Sequence, residues 1–232
     1  MTPTMTRGEL SIIIPTLNAE KHLPHCLDSL SAGLGSGLIR EVLIVDGGST
    51  DHTIAMAGSA GCRVITSPKA GRGRQLHIGA KNAKSNWFLF LHADTALEYN
   101  WADAVNAQMH FPKFAAAFTL AYDSPKKEAR WLERRAGQRV RALGLPYGDQ
   151  GLLIHKSVYE DIGGFKDIAL MEDVDIAQRI GKSRLRIMTT KAITSSEKYE
   201  RDGWRKRSWK NAFLLSRFLM GASPDKLAKA YK

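Results

Sequence analysis

Asp94 closes the stretch "FLFLHADT", residues 88–95, an apolar run that stops at a histidine, a small residue and an aspartate. A carboxylate at the end of a buried strand can form a turn, orient a hydroxyl or bind a hard cation. Asp46 repeats the arrangement in "EVLIVDGGST", and "LMEDVDIAQRI" gathers Glu172, Asp173 and Asp175 at what reads as a helix start. The helix dipole accounts for one acidic residue there. It does not account for three in a chain whose neighbouring segments are basic. One carboxylate can deprotonate an acceptor hydroxyl while another, beside a metal, organises a diphosphate leaving group. That chemistry is group transfer.

The elements that must position these groups follow from periodicity and breakers. "SIIIP", "EVLIVDGG", "RVITS" and "WFLFLHAD" are short, β-rich apolar runs closed by breakers or polar residues, with helical patterns between them. Strand and helix in alternation predict a parallel α/β sheet with right-handed crossovers. In such sheets ligands bind beyond the carboxyl ends of the strands, which here carry "PTLNAE", "DGGSTD", "SPKAGRGR" and "HADT". The glycine cluster "AGRGRQLHIGA" lets backbone N–H groups and Arg72 or Arg74 approach a phosphate. Neither G-x-G-x-x-G after the first strand nor the full P-loop pattern G-x-x-x-x-G-K-[ST] is present. In the second half "FAAAFTLAY" predicts a strand and residues 126–143 a helix with Leu132, Ala136, Val140 and Leu143 on one face. "GDQGLLIHKSVYEDIGGF" reads as a turn, a buried strand and a short helix, and in the acidic helix Val174, Ile176 and Ile180 are the apolar contacts.

The chain has 232 residues, 44% of them hydrophobic, and a formal net charge of +11. It is expected to form one compact unit. The charge points to an anionic partner and crowds into residues 126–141 and 198–217. No signal-peptide or membrane-spanning pattern is found, so the expected location is cytoplasmic, with the inner face of the membrane as a variant. Cys26 and Cys62 read as two reduced thiols. Trp204, Trp209, Phe213, Leu214 and Phe218 interleave with basic residues. Packing of these apolar groups on the domain is favoured over peripheral association with an anionic membrane.

Taken together and in this order, "SIIIPTLNAEKHLPHCLDSL", "EVLIVDGGSTDHT", "GRGRQLHIGAKNA", "FLFLHADT", "GGF" and "LMEDVDIAQRI" resemble a family-2 inverting glycosyltransferase. The resemblance implies a GT-A fold: a Rossmann-like nucleotide-diphospho-sugar transferase with a mixed, mostly parallel sheet flanked by helices. That domain is expected over residues 1–200, and a basic helical appendage over 201–232. "GRGRQL", "LHADT", "YGDQG", "LMEDV" and "GASPDKLAKAYK" are similar, more narrowly, to a bacterial subgroup of arsenosugar-type or radical-SAM/selenodomain-associated transferases.

The resemblance assigns roles by position. Asp94 stands where the family's Asp-x-Asp motif binds a divalent metal, Mn²⁺ or Mg²⁺, that bridges the donor diphosphate; His92 replaces its first carboxylate, and Ala93 lies between. Pro15, Thr16, Leu17 and Glu20 match the loop that holds the nucleotide. Asp46 matches the carboxylate that accepts a hydrogen bond from the base, favouring uracil or guanine over adenine. Gly73 and Arg74 match the region near the phosphates. Asp173 matches the base that deprotonates the acceptor, with Glu172 second, and Asp149, Gln150, Gly151 and Arg179 fall on the acceptor side. The expected partners are a UDP- or GDP-sugar and an acceptor hydroxyl, and nucleic acid is not among them. A nucleotide-sugar pyrophosphorylase would instead carry a glycine-rich basic loop where this chain has "PTLNAE". A non-catalytic basic binding protein would leave the carboxylates without a purpose.

Overall fold

The computed structural model describes residues 8–231. Eight strands form one sheet: β1 (Leu10–Thr16), β2 (Ile39–Asp46), β3 (Arg63–Thr66), β4 (Trp87–Phe90), β5 (Thr95–Leu97), β6 (Ala115–Tyr122), β7 (Leu152–His155) and β8 (Leu185–Thr194). Their spatial order is β3-β2-β1-β4-β7-β6-β8-β5. The pairs β2·β3, β1·β2, β1·β4 and β6·β8 are parallel, while β7 runs antiparallel to β4 and β6, and β5 antiparallel to β8. The sheet is therefore mixed, with its first four neighbours parallel as the alternating pattern predicts.

Side-chain alternation builds two cores, one on each face. Ile12, Ile14, Leu89 and Leu91 point to one face, where they meet Leu23 and Cys26 of the helix Leu23–Asp28 and Trp101 and Val105 of the helix Trp101–Met109. Ile13, Leu43, Val45, Phe88 and Phe90 point to the other. There Leu76 and Ala80 of the helix Arg72–Asn82, Tyr159 of the helix Lys156–Asp161 and Ile176 and Ile180 of the helix Glu172–Ile180 cover them. The Arg72–Asn82 helix lies close because Gly79 faces β1: a Cβ there would stand 2.3 Å from Ile13 Cγ2.

The helix Lys127–Leu143 ends at Gly144, whose φ of 67° suits the left-handed cap. Ala136 and Val140 are buried on it and Leu132 is half-buried, as expected, whereas Leu143 is exposed because the helix stops there and leaves it in its last turn. The basic tail forms the helices Trp204–Leu219 and Pro224–Tyr231. Leu215 packs with Leu145, Val174 and Ala177, and Leu214 and Leu227 close over Leu170. These helices are thus fastened to the start of the acidic helix.

A cavity at the carboxyl ends of the central strands

Adjacent parallel strands bring their ends together. Thr16 pairs with Asp46 in the β1·β2 register, and β1 also flanks β4, which delivers His92 and Asp94 just past its end. Asp46 is fully buried. It accepts hydrogen bonds from Thr16 Oγ1 (3.0 Å), Gly48 N (2.8 Å), Ser49 N (2.8 Å) and Ser49 Oγ. Burial pushes its carboxyl up, but the bonds from Ser49, Gly48 and Thr16 outweigh that and hold it below the usual carboxylate range. Asn18, at φ 50°, zips the first loop to the second: its Oδ1 accepts from Thr50 N at 2.8 Å. Glu20 accepts from His52 N at 2.9 Å, while Leu17 is half exposed and Pro15 lies within β1.

An open cavity of about 820 Å³ adjoins this edge, lined by Arg72, His92, Asp94, Asp149, Asp173 and Lys198 together with Tyr122, Tyr147, Tyr199 and Tyr231. Asp94 Oδ2 accepts from Lys198 Nζ at 3.0 Å. Burial raises the Asp94 carboxyl, yet Lys198 and His92 hold it below its ordinary value. Burial, with Arg72 nearby, pushes the His92 imidazole down to about 4, so it is neutral at pH 7. Ala93, between them, is buried in the core.

The three carboxylates of the acidic helix have three different fates. Glu172 is 2% exposed and ion-paired with Arg72. Asp175 is held by Lys166 at 3.0 Å and by Arg179. Asp173 alone of the three lines the open cavity. Its Oδ2 accepts from Gly148 N and its Oδ1 from Val174 N, both at 2.8 Å. Met171, directly before the helix, has a φ of 67°, a conformation strained for a side chain with a Cβ. Among the described residues the only non-glycine residues with positive φ are Asn18 and Met171, one in each loop system at this edge. Gly148 is required by close approach: a Cβ would meet His92 Nε2 at 2.5 Å and Asp173 Oδ2 at 3.5 Å.

Several expected site residues are placed otherwise. Arg74 is committed to Asp167, and it is Arg72, one helix position pair earlier, that faces the cavity. Gly73 is a packing position, since a Cβ would stand 2.2 Å from Lys166 O. Glu172 is ion-paired with Arg72 and does not line the open cavity. Gln150 is buried, donating to Phe118 O at 2.9 Å, and Gly151 at φ 62° packs against Phe118 and Phe90 O. Both support β6 and β7. Arg179 binds Asp175 and Ile162 O, away from the cavity. Of the acceptor-side group Asp149 remains in the lining; its Oδ1 is enclosed without a hydrogen-bond partner, and burial pushes its carboxyl up to about 6.

Lys198 and Gln75 carry weight that no motif announced. Gln75 Nε2 donates to both Thr16 O (2.8 Å) and Val45 O (2.7 Å), stapling the ends of β1 and β2. Its position in "GRGRQL" was visible, but a neutral amide gives no chemical signal. Lys198 lies beyond β8, in a segment of basic residues where nothing distinguishes one ammonium from another.

The model of glycosyl transferase family 2 matches residues 11–168, more than half of the chain. The chain belongs to this family. A PGL/p-HBAD biosynthesis glycosyltransferase of Mycobacterium tuberculosis is 40% identical over 99 residues, which cover 40% of this chain and 38% of the relative. The match therefore spans well under half of that relative's length. Solved structures share the fold. The mannosyltransferase PcManGT of Pyrobaculum calidifontis, in complex with GDP-Man and Mn²⁺, superposes with a TM-score of 0.68 at 17% identity, over 97% of this chain and 69% of that one. S. aureus TarS 1-349 gives 0.63 at 18% identity, over 81% and 60%. Glucosyl-3-phosphoglycerate synthase of M. tuberculosis, with Mn²⁺ and UDP-glucose, gives 0.58 at 16% identity, over 78% and 69%. The family-2 chain thus has the expected GT-A type of architecture, a mixed and mostly parallel sheet flanked by helices.

Proposed function

We propose that this family-2 chain transfers a sugar from a nucleoside-diphosphate donor, UDP- or GDP-linked, to an acceptor hydroxyl with inversion at the anomeric carbon. The observation that carries the reading is the placement of Asp173. It is the carboxylate of its helix that faces the cavity, and Gly148 joins it to the His92 side of the same cavity.

The nucleoside is held at the ends of β1 and β2 by Thr16, Leu17, Glu20 and Asp46. Thr16 and Ser49 hydroxyls already sit on Asp46, and either can rotate to yield a lone pair to a ring N–H of the base. Asp94 and His92 are the residues for a divalent cation, Mn²⁺ or Mg²⁺. Among the described residues no group of three His, Cys, Asp or Glu side chains could hold a metal by itself. A carboxylate and a neutral imidazole lining the same cavity nevertheless fit a cation that takes its other ligands from donor phosphates and water. When bound, such a cation neutralises charge on the departing diphosphate. Arg72 and Lys198 add fixed positive charge at the same wall.

Asp173 takes the acceptor's proton, held in orientation by the Gly148 and Val174 amides. The acceptor oxygen attacks the anomeric carbon from the side opposite the leaving group; the bond from that carbon to the phosphate oxygen breaks, and the diphosphate departs with the electron pair. The narrower similarity to the arsenosugar-type subgroup rests on the motifs alone. Two free cysteines, Cys26 and Cys62, suit a cytoplasmic setting, and no described helix is long and apolar enough to cross a membrane. The test is incubation with UDP- and GDP-sugars, with and without Mn²⁺, while released nucleoside diphosphate is measured. Release that needs metal and falls in Asp173→Asn supports the reading; nucleoside triphosphate formed from pyrophosphate and the donor would assign a nucleotidyltransferase instead.

A further inference from the structure

The groove between the helices Lys127–Leu143 and Trp204–Leu219 lies outside the transfer site and is built unlike the rest of the surface. It has a volume of about 1280 Å³, and its lining includes Trp131, Trp204 and Trp209 with Arg134, Arg135 and Arg205. Glu128 is the one carboxylate there. Several basic residues of these two helices outside the groove are used internally: Arg130 binds Glu133, Arg139 binds Leu145 O, and Arg207 binds Asp202. Arg134, Arg205, Lys127 and Lys206 form no ion pair or hydrogen bond among the described residues, and Arg135 lies over the Trp131 ring at 4.9 Å. Among the described residues Glu128 is the only carboxylate lining the groove, and it does not balance the cationic side chains there.

The helix Trp204–Leu219 is also apolar on two sides. Leu214 and Leu215 are buried against the domain. Trp209, Phe213 and, just past its end, Met220 stand at i, i+4 and i+11 on the outer side, 76%, 58% and 77% exposed. A surface helix of a globular domain normally has one apolar stripe. An outward stripe of large apolar side chains flanked by unpaired Lys and Arg is the composition of a helix lying in a lipid interface, where indole rings sit at headgroup level.

We propose that this face, Trp131 and Arg134 on one helix with Arg205, Trp209 and Phe213 on the other, docks the protein on an anionic phospholipid bilayer. The cationic side chains meet the headgroup phosphates, and Trp209, Phe213 and Met220 enter the acyl boundary. A single-stranded nucleic acid would also stack on the indoles. It offers nothing to Phe213 and Met220, which continue the stripe beyond the groove, and this favours lipid. The groove and the transfer cavity share one aromatic wall: Trp204 stacks on Tyr199 with ring centroids 5.2 Å apart and meets Tyr122 edge-on at 5.5 Å, and both tyrosines line the cavity. Docking therefore sets the cavity one aromatic layer behind the headgroups.

The experiment is sedimentation of the full chain with vesicles of phosphatidylcholine alone or with about 30% phosphatidylglycerol, followed by tryptophan emission. Binding to the anionic vesicles, at least about tenfold weaker on neutral ones, with a blue shift and loss at high salt, is expected. Trp209→Ala combined with Phe213→Ala should remove the blue shift, and Arg134→Glu combined with Arg205→Glu should weaken binding at least about tenfold. None of these four residues lies in the proposed transfer machinery, so release of nucleoside diphosphate from a soluble donor stays unchanged and reports separately on that reading. No binding to anionic vesicles, binding equal in both double variants and the parent, or capture of an oligonucleotide with vesicles ignored would each overturn the proposal.

Discussion

Asp173 and Glu172 are neighbours in sequence with opposite surroundings, and their amides test that difference. Asp173→Asn keeps an acceptor for the Gly148 amide but has no useful basicity, so transfer should drop by roughly two to four orders of magnitude while donor affinity stays within a few-fold. Glu172→Gln removes the buried partner of Arg72, so it should lower the melting temperature, by about 1–3 kcal/mol of stability, whatever it does to the rate. Calorimetric donor titration beside thermal melting separates the two. Asp149 carries a pH signature. Its carboxyl is raised to about 6 in the folded chain, so between about pH 4 and 6 the native state binds more protons than the unfolded one and stability falls as pH rises. Asp149→Asn should therefore melt higher than the parent above pH 6, with the gap shrinking toward pH 4. A constant gap across that range would disprove the titration.

At the scale of elements, positions are fixed by how closely backbones approach. Gly79→Ala would press a methyl onto Ile13 and part the Arg72–Asn82 helix from β1. Overpacking of this kind costs about 1–3 kcal/mol, read as a fall in melting temperature of roughly 2–4 °C per kcal/mol for a chain of this size. Gly148→Ala acts differently, since its methyl would meet the His92 ring. The fold should survive, and metal-dependent donor binding should weaken because His92 is displaced from the wall it shares with Asp94. Mn²⁺ titration followed by paramagnetic resonance reads that loss without an activity assay.

For the whole molecule, the C-terminal helices are part of the structure that holds the site. They cover Val174, Ala177 and Leu170 around the start of the acidic helix, and Arg207 and Tyr231 line the cavity. Ending the chain at residue 203 uncovers that apolar surface, so the truncated protein should melt at least several degrees lower and lose metal-dependent donor stabilisation. A truncated protein as stable as the parent would make these helices a separable appendage. The intact chain with Mn²⁺ present and donor at about a hundredfold excess over its dissociation constant should gain roughly 2.7 kcal/mol from donor binding, and Asp94→Ala should abolish the metal-dependent part.

The local pattern of residues 10–90 determined the parallel half of the sheet, because each strand there is a short β-rich run closed by a breaker or a polar residue, and the carboxylates at its ends were legible as Asp46 and Asp94. The motifs also pointed to the family and set the acidic cluster at a helix start. Strand β8 is not among the elements the sequence predicts although Met188, Thr190, Ala192 and Thr194 alternate inward, since half of that face is polar and basic residues surround it. β5, three residues long, offers no period at all. Only the tertiary structure decided which charge meets which. "GRGR" gives two equivalent arginines, and "LMEDVD" three equivalent carboxylates. The packing of the Arg72–Asn82 helix against the Glu172–Ile180 helix paired Arg72 with Glu172, sent Arg74 to Asp167 and left Asp173 facing the cavity. Partner choice between long charged side chains depends on distances across the fold, and sequence spacing carries none of them.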